Sequence, residues 1–87
     1  MTIHETSNYS RKLERLVKRN STLRQKIDKK LQLLIADSGY PSLRLHKIER
    51  ANGTLWSVSL DMKLRILFGY VEDGILLFNI GGHDEVY

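Results

Sequence analysis

Trp56-Ser57-Val58-Ser59-Leu60-Asp61-Met62-Lys63-Leu64-Arg65-Ile66-Leu67-Phe68-Gly69-Tyr70 is the stretch that decides the fold. Trp56, Val58 and Leu60 alternate with serines, and Leu64, Ile66, Phe68 and Tyr70 alternate with Arg65, Leu67 and Gly69, which is the period of a strand and not of a helix. A three-residue turn at Asp61-Met62-Lys63 pairs Leu60 with Leu64, Val58 with Ile66 and Trp56 with Phe68. That register gathers the large apolar side chains on one face, whereas a one-residue slip scatters them over both.

Working outward toward the C-terminus, Glu72-Asp73-Gly74 is a turn whose glycine tolerates positive φ. The hairpin it closes is expected to pair Phe68 with Phe78 and Ile66 with Ile80, setting Arg65 opposite Gly81. The face away from the core then holds Ser57, Ser59, Arg65, Leu67, Leu77 and Asn79, with His83 on the same parity just past the strand. Upstream, Leu43 to Ile48 reads as a strand joined to Leu55 through Asn52-Gly53. With Leu43 and Leu45 turned to the core, Arg44 and His46 share the face of Arg65, and Lys47 alternates away from it.

The N-terminal half has a different period. Ile3 lies in a short segment fit for an edge strand, and Ser7 or Asn8 is the expected cap of a helix carrying Tyr9, Leu13, Leu16 and Val17. Asn20-Ser21 interrupts, and Leu23, Ile27, Leu31, Leu34 and Ile35 continue as a second helix that stops at Asp37-Ser38-Gly39-Tyr40-Pro41. The expected architecture is α+β: an N-terminal strand and a two-helix hairpin on one face of a twisted antiparallel sheet of about four strands, forming one domain over residues 1–87.

Composition narrows the function. The chain has no cysteine, which removes disulfides and thiolate metal sites and makes a reducing, cytoplasmic setting the simpler expectation. No segment has the roughly 18 continuous apolar residues of a membrane span, so no membrane role is expected. A net charge of +4 favours an anionic partner. No glycine-rich loop opens a helix after a strand, and His4, His46 and His83 lack metal-ligand spacing, so neither a nucleotide cofactor nor a metal is expected. Arg65, His83 and Tyr87 are residue types that hold a phosphate and exchange protons near neutral pH, which is what metal-free phosphodiester chemistry requires.

The order of a short strand, a basic helix pair and an antiparallel block resembles the RelE/ParE superfamily of bacterial toxins. The resemblance is sharpest in Trp56-Ser57-Val58-Ser59-Leu60, Leu64-Arg65-Ile66-Leu67-Phe68 and the ending Ile80-Gly81-Gly82-His83-Asp84-Glu85-Val86-Tyr87. It implies the toxin of a type II toxin–antitoxin pair. RelE-like members are ribosome-dependent endoribonucleases that cut mRNA without metal, through attack of the ribose 2′-hydroxyl on the adjacent phosphate. By that resemblance Arg65 corresponds to the arginine that stabilises the pentacovalent phosphate, and Tyr87 to a C-terminal tyrosine that orients RNA or assists proton transfer. His83 falls where relatives carry a histidine or an arginine. Arg44, His46, Lys47 and Lys63 are the candidate RNA contacts.

One departure separates this chain from RelE itself. Ser57 and Ser59 stand where two lysines alternate on the strand before the arginine, and an unactivated hydroxyl is a poor general base. Catalysis would then fall to His46 or His83. Two alternatives stay open: a ParE-like inhibitor that binds DNA gyrase, and a catalytically weak RelE homologue. The expected partners are a cognate antitoxin covering the cationic face, the ribosome and mRNA.

Overall fold

The computed structural model describes residues 1–87. In chain order the elements are β1 (Thr2–Glu5), α1 (Ser7–Val17), α2 (Ser21–Ala36), a 3₁₀ turn (Pro41–Leu43), β2 (His46–Arg50), β3 (Gly53–Ser59), β4 (Arg65–Val71), β5 (Gly74–Gly81) and α3 (His83–Val86). The fold class is the expected α+β.

The β3–β4 hairpin has the register that alternation dictates: Trp56 pairs with Phe68, Val58 with Ile66 and Ser59 with Arg65. Its turn is held by Asp61, whose Oδ1 accepts from the amides of Lys63 at 2.8 Å and Leu64 at 2.7 Å. Those amides, Leu64 first, hold the Asp61 carboxyl below the usual carboxylate range against the opposing effect of desolvation.

Three details of the sheet differ from expectation. The sheet has five strands, ordered β1-β5-β4-β3-β2, and β1 runs parallel to β5 with Thr2 beside Gly74 and Glu5 beside Leu77. A methyl group at Gly74 would overlap the Thr2 carbonyl oxygen and lie 2.6 Å from the Thr2 nitrogen, so only glycine admits β1 here. β2, the first strand after the helices, begins at His46 instead of Leu43, because Pro41 starts a 3₁₀ turn that leaves Arg44 in the left-handed region at φ 47°. The third difference is a β-bulge. Arg65 lies opposite Gly81 and Ile66 opposite Ile80, as expected, but Phe68 pairs with Leu77 instead of Phe78. Leu77 therefore turns into the core, fully buried, and leaves the face on which parity had put it. The unpaired Phe78 carbonyl of the bulge accepts from Thr6 Oγ1 at 3.1 Å and Asn8 Nδ2 at 3.0 Å, so the irregularity leaves no carbonyl orphaned.

Thr6, and not Ser7 or Asn8, caps α1, with its hydroxyl accepting from the Tyr9 amide at 3.1 Å. Asn20 caps α2 in the same way through Leu23. Both helices lie on one face of the sheet. Tyr9, Val17, Ile27, Leu31 and Leu34 from the helices meet Val58, Ile66, Phe68, Ile75, Leu77 and Ile80 from the strands in one apolar cluster. Each of the aliphatic and phenyl side chains among them contributes about 1.5–3 kcal/mol through burial. The two long helices thus cover one side of the sheet and leave the other free of them.

Candidate active site

Strand pairing aligns two rows of residues on the uncovered face. One row is Ser59, Arg65 and Gly81, and the other is His46, Ser57, Leu67 and Asn79. Gly81 has no side chain, so nothing on β5 crowds Arg65 from that flank. β2 adds Ile48 and Arg50 at alternate positions beyond His46.

The backbone then turns sharply. Gly82 caps α3, and its amide donates to Glu85 Oε1 at 3.2 Å, half of a capping box. Three further ties hold this short helix down: Asn79 Nδ2 donates to the Glu85 carbonyl at 3.1 Å, Lys12 Nζ sits 3.7 Å from Glu85 Oε2, and Val86 is buried in the sheet. The helix carries His83 and Tyr87 four residues apart, and their rings meet edge to face with centroids 4.5 Å apart. Tyr87 folds back across the sheet until its hydroxyl hydrogen-bonds Ser57 Oγ.

These elements enclose a cleft of about 640 Å³ lined by Arg44, His46, Ile48, Arg50, Arg65, His83 and Tyr87. No carboxylate lines it. None of the chain's arginines has an acidic partner within ion-pair distance, whereas Lys12, Lys26 and Lys47 each do. The cleft thus presents three uncompensated guanidinium groups, and planar forked donors of that kind match the oxygens of a phosphate. His83 Nδ1 lies 3.6 Å from Asp84 Oδ1 outside the cleft lining, with both side chains exposed.

Arg65, His83, Tyr87, Arg44 and His46 are therefore brought into one cleft. Lys47 and Lys63 are not among its lining residues. Lys47 alternates to the other side, as parity requires, where it pairs with Glu49 at 3.1 Å and lies 6.0 Å from the Trp56 ring centre. Lys63 sits in the β3–β4 turn with its amide on Asp61. Arg50 and Ile48 belong to the lining, though the sequence reading had not included them. Ile48 and Arg50 share the parity of His46 along β2, which is the signal that marks them for this face.

The two serines are both occupied. Ser57 is fully buried and bonded to Tyr87, and Ser59, 6% exposed, donates to the Asp61 carbonyl at 2.7 Å. Both hydroxyls are thus engaged within the chain.

No family model matches the sequence, and no curated relative matches it. Solved structures do. YafQ from E. coli strain BL21(DE3) superposes with a TM-score of 0.79 at 10% identity, covering 99% of this chain and 97% of that one. The YoeB/ParE toxin from Agrobacterium tumefaciens gives 0.80 at 12% identity over 95% and 99% of the two chains. YafQ within the E. coli DinJ-YafQ toxin-antitoxin complex gives 0.78 at 12% identity, covering 99% and 96%. Identities this low carry the fold alone, and along essentially its whole length this chain has the RelE-like fold of the YafQ and YoeB/ParE toxins.

Proposed function

We propose that this protein is the toxin of a type II toxin–antitoxin pair and an endoribonuclease that cleaves mRNA on the ribosome without a metal. The observation that carries this reading is the single cleft in which Arg65, two histidines and Tyr87 converge with no carboxylate among them. In the proposed step a histidine takes the proton from the ribose 2′-hydroxyl, and O2′ attacks the adjacent phosphorus. Arg65 holds the pentacovalent phosphate through its guanidinium as charge accumulates on the equatorial oxygens. The bond from phosphorus to O5′ then breaks, and the second acid returns a proton to the leaving oxygen. The products are a 2′,3′-cyclic phosphate and a 5′-hydroxyl.

His83 is the proposed general acid or base, with Tyr87 packed on its ring to orient it. His46, on the opposite wall, supplies the partner role. This division answers the absence of the strand lysines, since Ser57 and Ser59 are engaged internally and cannot stand in for them. The same engagement favours one second reading, a homologue with weak catalysis. The partnership with an antitoxin rests on the neighbours solved as complexes, DinJ with YafQ and YefM with YoeB. A cytoplasmic location is part of the proposal; no helix is long and apolar enough to cross a membrane.

Reconstituted translation tests the reading. The wild-type protein should cut ribosome-bound mRNA, and Arg65→Ala should cut about 10²–10³-fold more slowly, the loss typical of removing one charge-stabilising donor. Intact mRNA at equimolar wild-type protein and ribosomes would overturn it. Accumulation of cleaved gyrase–DNA complex in a supercoiling assay, with mRNA untouched, would instead establish the gyrase inhibitor.

A further inference from the structure

Arg44 lines two depressions at once. Besides the cleft described above, it borders a second one of about 330 Å³, whose other cations are Lys26 and Lys30 of α2 and whose rim carries Met62 from the β3–β4 turn. Arg44 stands in the left-handed backbone region, at φ 47°, with its amide on the Pro41 carbonyl at 3.2 Å. A β-carbon makes that conformation unfavourable, so glycine or asparagine would be the comfortable occupant. An arginine held there at some cost, on the border of two basic depressions, calls for a reason other than the turn.

The charge of the second depression is also unbalanced. Lys30 Nζ has no carboxylate partner and rests on Ser42 Oγ at 3.2 Å. Asp61 is the one acid there; it lies 3.4 Å from Lys26 and is already engaged by two backbone amides. Met62 is 98% exposed, an apolar side chain with no partner in this chain, and its flexible thioether suits the face of an unstacked base.

Building on the ribonuclease reading, we propose that this second depression is a binding subsite for the sugar-phosphate backbone of single-stranded RNA flanking the scissile bond. The strand leaves the catalytic cleft over Arg44, which contacts a phosphate at the border, and its next phosphates meet Lys30 and Lys26. A dinucleotide fills only the first cleft. A longer strand reaches both.

The test uses the full-length protein labelled with ¹⁵N and 2′-O-methyl oligoribonucleotides, in which the attacking hydroxyl is blocked. A dinucleotide should shift amides around Arg65 and His46. A hexanucleotide should also shift amides of α2 around Lys30 and of the Asp61–Leu64 turn, and bind more tightly. The salt dependence of hexanucleotide affinity should weaken by about 0.7 in log–log slope for each phosphate contact removed. Lys30→Ala should show that change while dinucleotide affinity holds. Arg44→Gly, which relieves the backbone, should fold at least as stably and lose hexanucleotide affinity. If the hexanucleotide shifts only the dinucleotide's amides, or Lys30→Ala leaves the slope unaltered, the second subsite is overturned and the catalytic cleft stands. If neither oligonucleotide shifts any amide, both readings fall. Equal shifts of the α2 amides by polyglutamate of matched charge would make the patch a site for an acidic protein and overturn the RNA assignment.

Discussion

The two faces of this one sheet obey different rules. Toward the helices, Val58, Ile66, Phe68, Ile75, Leu77 and Ile80 are each at most 1% exposed and belong to one apolar cluster. Toward the cleft, the same strands present Ser57, Ser59, Arg65 and Asn79, whose polar groups are either hydrogen-bonded or turned to solvent. A single chain alternates between them at every step, so neighbours in sequence such as Arg65 and Ile66 belong to separate physical problems. One face holds the fold together, and the other is free to carry charge because it need not do so.

The sharpest way to break that contrast is to exchange the expected losses. Phe68→Ala should remove about 3–5 kcal/mol of stability by opening a cavity, a large part of what a chain of this length possesses. Arg65→Ala, on the opposite face of the same strand, should alter urea stability by less than about 0.5 kcal/mol while, under the proposed function, its full effect falls on mRNA cleavage. Comparable urea midpoints for the two variants would refute the division.

Gly74→Ala comes next. Its methyl group meets the Thr2 backbone and so separates β1 from β5, at an expected cost of about 1–3 kcal/mol by urea denaturation. Protection of the β1 amides in hydrogen exchange should fall before that of β3 and β4; uniform loss would show that β1 is not a separable edge.

A smaller effect tests the seam between the faces. Tyr87→Phe leaves the buried Ser57 hydroxyl without its partner and should cost about 1–2 kcal/mol. Adding Ser57→Ala should return part of that loss, with a coupling of about 1 kcal/mol in a double-mutant cycle. Strict additivity would mean that the bond does not hold α3 in place.

The smallest expected change is with pH. The Asp61 carboxyl lies low in the folded chain, so its contribution is present above the ordinary carboxylate pKa of about 4 and disappears as the pH falls through the lower folded value. The exposed Asp73, lowered by its hydrogen bond from His4, and Glu49, lowered by Lys47, act in the same direction. Urea midpoints should decline on acidification below about pH 4, and Asp61→Asn should flatten part of that decline. An unchanged pH profile in Asp61→Asn would remove Asp61 from this account.

How much of this was legible depended on whether local alternation carried the information. The β3–β4 register and the placement of Arg65 opposite Gly81 could be read because apolar and polar residues strictly alternate there. The bulge could not, since Leu76-Leu77-Phe78 is apolar throughout and offers no parity to violate, while the donors that satisfy its free carbonyl, Thr6 and Asn8, lie far along the chain. The parallel partner of β1 was equally hidden, because parallel pairing has no connecting turn to announce it. In the site, Arg65, His83 and Tyr87 line one cleft, but α3, which carries His83 there, is a single turn, too short for a helical period to be visible.

Thr6 and Phe78, bonded across the β1–β5 edge, are 72 residues apart. β1 can dock only against the segment Gly74 to Leu77, so the first strand of the fold depends on one of its last. His83 and Tyr87 come later still. The pairing that closes one edge of the sheet and the turn that brings His83 and Tyr87 to the cleft thus hang on the same strand, β5.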